Sequence, residues 1–192
     1  MMRLAFFASG TGSNVQAILN AIEVGNLEVE PVCLFCDQPG AGVLEKAEKA
    51  NLPYLVLRPK DCMSRLAWEE AILDFLAKHQ VDLIILAGFM RIISSTILTK
   101  YEKRVLNIHP SLLPQFPGRH GIRDAFEAKV ERTGVTIHYV DEGIDTGEIV
   151  AQESIEIESN WTLADLEKAI HQIEHRLYPA TIQMLVEKGQ EN

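Results

Sequence analysis

The 192-residue chain has no apolar run long enough to span a membrane, and its opening "MMRLAFFASG" leads into a glycine turn, unlike a secretory leader. Basic residues are few: 18 Lys and Arg stand against 27 Asp and Glu, a formal charge of −9. That balance works against nucleic acid, whose binding rests on clustered cations, but leaves room for small anions that need only a local site. Cysteine is sparse as well, with three residues, which suits a reducing compartment. Cys33 and Cys36 form a C-x-x-C within "VCLFC", yet no second pair exists to complete a zinc site. A redox C-x-x-C opens a helix, whereas this one lies in an apolar strand, where residues three apart face opposite sides. Buried structural thiols are the expectation. No repeat, low-complexity tract or linker interrupts the chain, so residues 1–192 are read as one domain. These absences together predict a cytoplasmic protein with small-molecule ligands and neither a membrane nor a nucleic-acid partner. A homodimer is compatible with them.

What is present is an alternation of strands and helices. Apolar runs at 3–8, 29–36, 54–57, 82–88 and 104–109 read as strands, with helical periodicity at 14–24, 40–51 and 64–79. The run "DLIILAG" (82–88) is continuously apolar, as strands buried in parallel sheets are. Ser13 or Asn14 can cap the first helix. After residue 120 the pattern changes: 134–140 and 148–157 alternate, which suggests antiparallel additions or a long hairpin, and a helix over 162–188 follows. The fold class is therefore α/β and Rossmann-like: a mostly parallel twisted sheet, helices on both faces, antiparallel additions near the C-terminus. Such sheets bind ligands at the carboxyl ends of their strands, so the loops after strands one, four and five carry the interest.

The first loop, "ASGTGSN" (8–14), joins a strand to a helix. Glycines let backbone approach an anion, and a helix N-terminus offers unpaired N–H groups. No Lys-Ser or Lys-Thr follows, so it is not a P-loop, and the dinucleotide pattern lacks its third glycine. A single phosphate fits better than a nucleotide, although a plain tight turn explains the loop equally well. The second loop, "LAGFMRIIS" (86–94), sets Phe89, Met90, Ile92 and Ile93 around Arg91, either as a slot for a flat organic ring or as core packing beside one solvated Arg. The third, "NIHPSLLPQFPGRHG" (107–121), puts Asn107 and His109 at i and i+2 on a strand, pointing the same way, ahead of three prolines that immobilise the chain. An amide donor and a titratable imidazole at one strand end suit action on one reacting atom. Downstream, "DEGIDTGEIV" brings Asp141, Glu142 and Asp145, any of which could hold the imidazole charged.

"SGTGSN", "LAGFMRI", "NIHPSLLPQFPG" and "GVTIHYVDEGIDTG" resemble, in order and separation, the motifs of the folate-dependent formyltransferases across nearly the whole chain. "SGTGSN" is similar to the more restricted phosphoribosylglycinamide formyltransferase branch, which moves a formyl group from 10-formyltetrahydrofolate to the amine of glycinamide ribonucleotide in de novo purine synthesis. The resemblance implies a single formyltransferase-fold domain, that folate as co-substrate and no metal. It implies a catalytic set of Asn107, His109 and Asp145, and a ribose-phosphate cradle of Gly12, Ser13 and Asn14. It also implies a pterin pocket lined by Met90, Arg91, Ile92 and Ile93 with Asn107, a folate contact from Arg65 in "MSRLAWEE", and Glu174 in "QIEHRLYP" near the substrate amine.

The residue types suit that chemistry. An amine attacking a formyl carbon develops an oxyanion that Asn107 and an imidazolium His109 could stabilise, while Asp145 relays a proton toward the departing nitrogen. No step needs a metal, and no cluster of His, Cys and carboxylates has metal spacing. A 10-formyltetrahydrofolate deformylase would use the same folate pocket but has no use for a phosphate cradle. A transfer-RNA formyltransferase conflicts with the charge of −9. A non-catalytic nucleotide-binding protein would leave Asn107, His109 and Asp145 idle. His138 lies on a strand that could approach the site, with strand packing the expectation.

Overall fold

The computed structural model of the chain describes residues 1–190. β1 (Met2–Ala8), β2 (Val29–Cys36), β3 (Tyr54–Val56), β4 (Leu83–Leu86) and β5 (Val105–His109) pair in parallel, and β6 (Arg132–Tyr139) and β7 (Ile149–Glu156) add on in antiparallel sense. The seven strands form one sheet in the order β3-β2-β1-β4-β5-β6-β7. The expected mostly parallel sheet with antiparallel C-terminal strands is what the chain adopts.

Strand alternation divides the core in two. Leu4, Phe6 and Ala8 of β1 face one side, covered by α1 (Ser13–Glu23), α2 (Val43–Lys49) and α6 (Leu163–Gln190). Ala5 and Phe7 face the other, under α3 (Arg65–Lys78) and α4 (Ser95–Lys100). Each large side chain sealed this way contributes roughly 1.5–3 kcal/mol. The cysteines follow the same alternation: Cys36 joins the first cluster and Cys33 the second. Both are free and buried, and burial pushes the Cys33 thiol up to about 12, so it is no nucleophile at neutral pH.

Helix starts obey local chemistry. Ser64 accepts the Ala67 N–H at 3.0 Å to open α3. Thr162 and Asp165 cap α6 reciprocally: Asp165 accepts the Thr162 N–H at 2.8 Å, and Thr162 accepts the Asp165 N–H at 3.2 Å. α1 departs from expectation. Its N-cap is Gly12 in left-handed conformation (φ 74°), and no side chain caps it, neither Ser13 nor Asn14. Two short helices, α4 and α5 (Gly121–Glu127), have no counterpart in the periodicity, because six and seven residues hold too few turns to show a face.

Because β1 lies between β2 and β4, the chain reverses its direction of travel there, and the carboxyl ends of β1, β2, β4 and β5 open along one edge. The loop after β5 is held from beneath by the antiparallel half of the sheet. Thr136 of β6, fully buried, accepts the Leu113 N–H at 3.1 Å and donates to the Ser111 carbonyl at 2.7 Å. Gln152 of β7 donates to both Thr136 and the Leu113 carbonyl at 2.9 Å. Rigidity thus comes from these hydrogen bonds as well as from the prolines. Thr136→Val keeps the shape but strands buried polar groups, and should cost about 2 kcal/mol. Urea denaturation measures it, and an unchanged midpoint would show that the pins contribute nothing.

Candidate active site

At the end of β5, His109 is 4% exposed, yet its ring meets two oxygens. Nε2 lies 2.8 Å from the Phe116 carbonyl and Nδ1 3.5 Å from Asp145 Oδ2. A carbonyl only accepts, so the network assigns a proton to Nε2 and turns Nδ1 toward the carboxylate. His138, on the neighbouring β6, repeats the arrangement: Nδ1 meets the Tyr139 carbonyl at 2.9 Å and Nε2 faces Asp145 Oδ1 at 3.6 Å. Asn107 Nδ2 stands 3.3 Å from His138 Nε2. The two imidazoles therefore flank one carboxylate. Packing alone does not describe His138: of the two readings the sequence left open, its strand does bring it to the site.

The same geometry decides between the loop carboxylates. Asp141 turns back on its own loop, accepting from the Gly143 N–H at 3.0 Å and from Thr146 Oγ1 at 2.7 Å. Asp145 enters left-handed backbone (φ 54°) and accepts the Gly118 N–H at 2.7 Å. Burial works against its charge, but His138, the Gly118 N–H and the nearby His109 outweigh it and hold the carboxyl below its usual range. Gly147 closes this turn where no side chain fits, since a Cβ would lie 1.7 Å from the Tyr139 carbonyl oxygen. Asn107 and His109 lie together as expected, but both donors are engaged by the protein itself, one by His138 and one by Phe116.

The loop after β1 forms the start of α1. A Cβ on Gly12 would meet Val43 at 2.5 Å, so the helix terminus packs directly on α2. Beside it lies a groove of about 520 Å³ lined by Thr11, Ser13, Gln16, Asn20, Lys46 and His175. Its lining holds a lysine and no carboxylate, in a chain with an excess of acids. Ser13 is exposed there. Asn14 points inward, 8% exposed, donating through Nδ2 to Glu174 Oε2 at 3.3 Å, while its Oδ1 is buried without a partner. The fold thus brings together Asn14 and Glu174, 160 residues apart in the chain.

The loop after β4 is anchored by Phe89, which packs edge-on against Phe7 and Phe35 with centroids 5.4 and 5.9 Å away. Met90 and Ile92 are left 56% and 63% exposed, an apolar ledge, whereas Ile93 is 4% exposed and belongs to the core. Arg65 donates to the Ile92 carbonyl at 2.7 Å and pairs with buried Glu69 at 2.6 Å. Arg91 is not simply solvated: it pairs with Asp37, 1% exposed. No sequence signal separated Asp37 from an ordinary turn residue after a strand.

The model of the formyl transferase family matches residues 2–182. The chain belongs to the formyl transferase family. It is 46% identical, over 97% of its length and 95% of the relative's, to phosphoribosylglycinamide formyltransferase of Bacillus subtilis. Among solved structures, glycinamide ribonucleotide transformylase 1 of Geobacillus kaustophilus superposes with a TM-score of 0.94 at 50% identity, covering 96% and 98% of the two chains. Phosphoribosylglycinamide formyltransferase of Bacillus halodurans also reaches 0.94, at 48% identity and 97% and 96% coverage.

Among the described residues of this formyl transferase, no group of three or more His, Cys, Asp or Glu is placed to hold a metal. Glu174 stands apart electrostatically. Burial pushes its carboxyl above the usual range, and the His171 charge and Asn14 amide only partly oppose that. With its folded pKa above its unfolded one, the folded state keeps a proton the unfolded state has released, so stability falls as pH rises through that interval. Glu174→Gln should therefore gain stability over the parent at pH 8 and match it at pH 4, read from thermal unfolding at both. Equal melting temperatures at pH 8 would mean Glu174 carries no burial cost.

Proposed function

We propose that the chain is a phosphoribosylglycinamide formyltransferase, transferring a formyl group from 10-formyltetrahydrofolate to the amine of glycinamide ribonucleotide in purine synthesis. The observation that carries this reading is a juxtaposition. A lysine-lined groove follows β1, an apolar ledge follows β4, and His109 at the end of β5 shares with His138 of β6 a carboxylate from the β6–β7 turn. The groove with Gly12, Ser13 and Asn14 takes the ribose phosphate on the N-terminus of α1. Met90 and Ile92 take the pterin face, Arg65 and Arg91 fix the loop that carries them, and Glu174 receives the substrate amine.

In the transfer, the amine nitrogen attacks the formyl carbon, its new bond to carbon forms, and the bond from carbon to N10 breaks. One proton leaves the amine and one arrives on N10. The carbonyl oxygen carries the charge between these events, and Asn107 and His109 donate to it. Asn107 can donate through its second Nδ2 hydrogen while keeping His138, whereas donation from His109 Nε2 requires it to exchange its contact with Phe116 for the oxyanion. Asp145 keeps a negative charge beside both rings and passes the proton directly or through water. Hydrolysis of the same formyl donor would leave the lysine-lined groove without a purpose.

Ultraviolet monitoring of 10-formyltetrahydrofolate tests the assignment: turnover should require glycinamide ribonucleotide, and turnover with water alone would replace it by deformylation. His109→Ala should lower kcat by about 10²–10³-fold, the usual loss for one oxyanion donor, with KM little changed. A rise in KM alone would remove His109 from that role. Ser13→Asp should weaken the ribonucleotide by charge repulsion and leave folate affinity unchanged. Calorimetry with each ligand checks this, and a matched loss for both would show that the two sites are not separate.

A further inference from the structure

One buried carboxylate outside the catalytic set has more partners than a turn residue needs. Asp37 follows β2 directly, is 1% exposed, and uses both oxygens. Oδ1 accepts from Ser9 Oγ at 2.6 Å. Oδ2 pairs with Arg91 and accepts from Gln38 Nε2 at 3.2 Å. Ser9 in turn accepts the Met90 N–H at 3.0 Å, and the Ser9 N–H donates to the Gly88 carbonyl at 3.1 Å. Ser9 opens the loop that leads to Ser13 and Asn14, while Met90 and Arg91 belong to the ledge loop. Asp37 therefore ties both ligand-bearing loops to each other at the point where the strand order reverses.

We infer that Asp37 is a positioning residue that couples the two ligand sites, so that ribonucleotide and folate each bind more tightly when the other is present. The inference rests on the reading of the site as one for these two ligands. Its physical basis is shared ordering. A ligand that steadies Ser13 and Asn14 also steadies Ser9, and through Asp37 and the Ser9 hydroxyl it steadies Met90 and Arg91, so the second ligand has less freedom left to remove. Binding linkage makes the effect reciprocal. Arg91 contributes as the far end of this bridge, which gives the side chain a function without any contact to the pterin.

The test uses the full chain, glycinamide ribonucleotide, and tetrahydrofolate as a folate with no formyl group to transfer. Calorimetry gives the ribonucleotide Kd alone and with saturating tetrahydrofolate, then the reverse titration. The unaltered protein should show about fivefold tightening in both directions, at the modest end of allosteric coupling. Asp37→Asn replaces one carboxylate oxygen with an NH₂ that faces another donor, and should bring the ratio to within about twofold of unity. Ser9→Ala removes the hydroxyl bridge while leaving the Asp37–Arg91 pair in place, and should do the same even if Asp37→Asn fails to fold. A purely structural Asp37 would lower the melting temperature of its variant and leave the ratio intact. Retained coupling in both variants, or no mutual effect in the unaltered protein, overturns this inference alone. An unaltered protein that binds neither ligand overturns the functional reading and the inference together.

Discussion

The carboxylate of Asp145 is where the two halves of the sheet meet in chemistry. It reaches its place only because the chain turns left-handed at that residue, a conformation that costs a non-glycine side chain on the order of 1–3 kcal/mol. The surroundings hold it there. Asp141 closes the same loop from within, Gly147 admits a turn that no Cβ could share, and the Gly118 N–H binds the carboxylate from the facing loop. Once placed, it sets a common anion for His109 and His138, and the backbone carbonyls of Phe116 and Tyr139 fix which nitrogen of each ring turns toward it. Without it, two buried imidazoles would lose their shared neighbour, and the loop after β5 would lose its tie to the β6–β7 turn.

Much of this was legible in the sequence, for reasons that differ by element. β2 could be bounded because a continuous apolar run ends abruptly at Asp37, and β1 and β5 because glycine and proline follow them. Asn107 and His109 were visible as a pair because strand geometry sends i and i+2 the same way. The ordering of Asp145 over Asp141 was not derivable from spacing, since it depends on one positive φ that Asp tolerates and the sequence does not display. His138 was legible only as a residue whose strand could approach the site, since its neighbours Asn107 and Asp145 come from other parts of the chain. Asp37 was hidden because its partners, Ser9 and Arg91, lie on other loops and meet it only after the strands are laid side by side. Ile93 divides from its neighbours only in the fold: the loop motif groups it with Met90 and Ile92, and packing turns its side chain inward.

The parallel and antiparallel parts of the sheet divide the work. β1 and β4 supply the backbone of the ligand loops, which suits the positive end of α1 and the apolar underside provided by Phe7, Phe35 and Phe89. β6 and β7 supply polar side chains that a buried parallel strand could not easily satisfy: Thr136, His138 and Gln152 all find partners in the loops after β5 and β6. An antiparallel edge leaves alternate positions free to reach such loops, whereas β4, covered on both faces, is apolar at every residue.

Three carboxylates buried near this edge make the remaining point. Asp37 and Glu69 each face an arginine, Arg91 and Arg65, and each arginine also belongs to or contacts the ledge loop. Their burial is thus compensated by charge within the protein, and for Glu69 the arginine, Ser94 and Thr96 overcome the effect of burial and keep the carboxyl below its usual range. Glu174 is buried to a similar degree but has an amide, Asn14, as its hydrogen-bond partner, and burial wins. A buried carboxylate without a paired cation is costly, and removing that cost requires either a proton or a positively charged partner. The Asn14 amide oxygen is buried at the same place without a partner. Two acceptors are held together on opposite helices, Asn14 Oδ1 without a partner and Glu174 accepting from the Asn14 amide, and a primary amine or ammonium can donate to both. On the proposed reading that group is the nucleophile itself, met by an amide oxygen that the fold leaves without a partner.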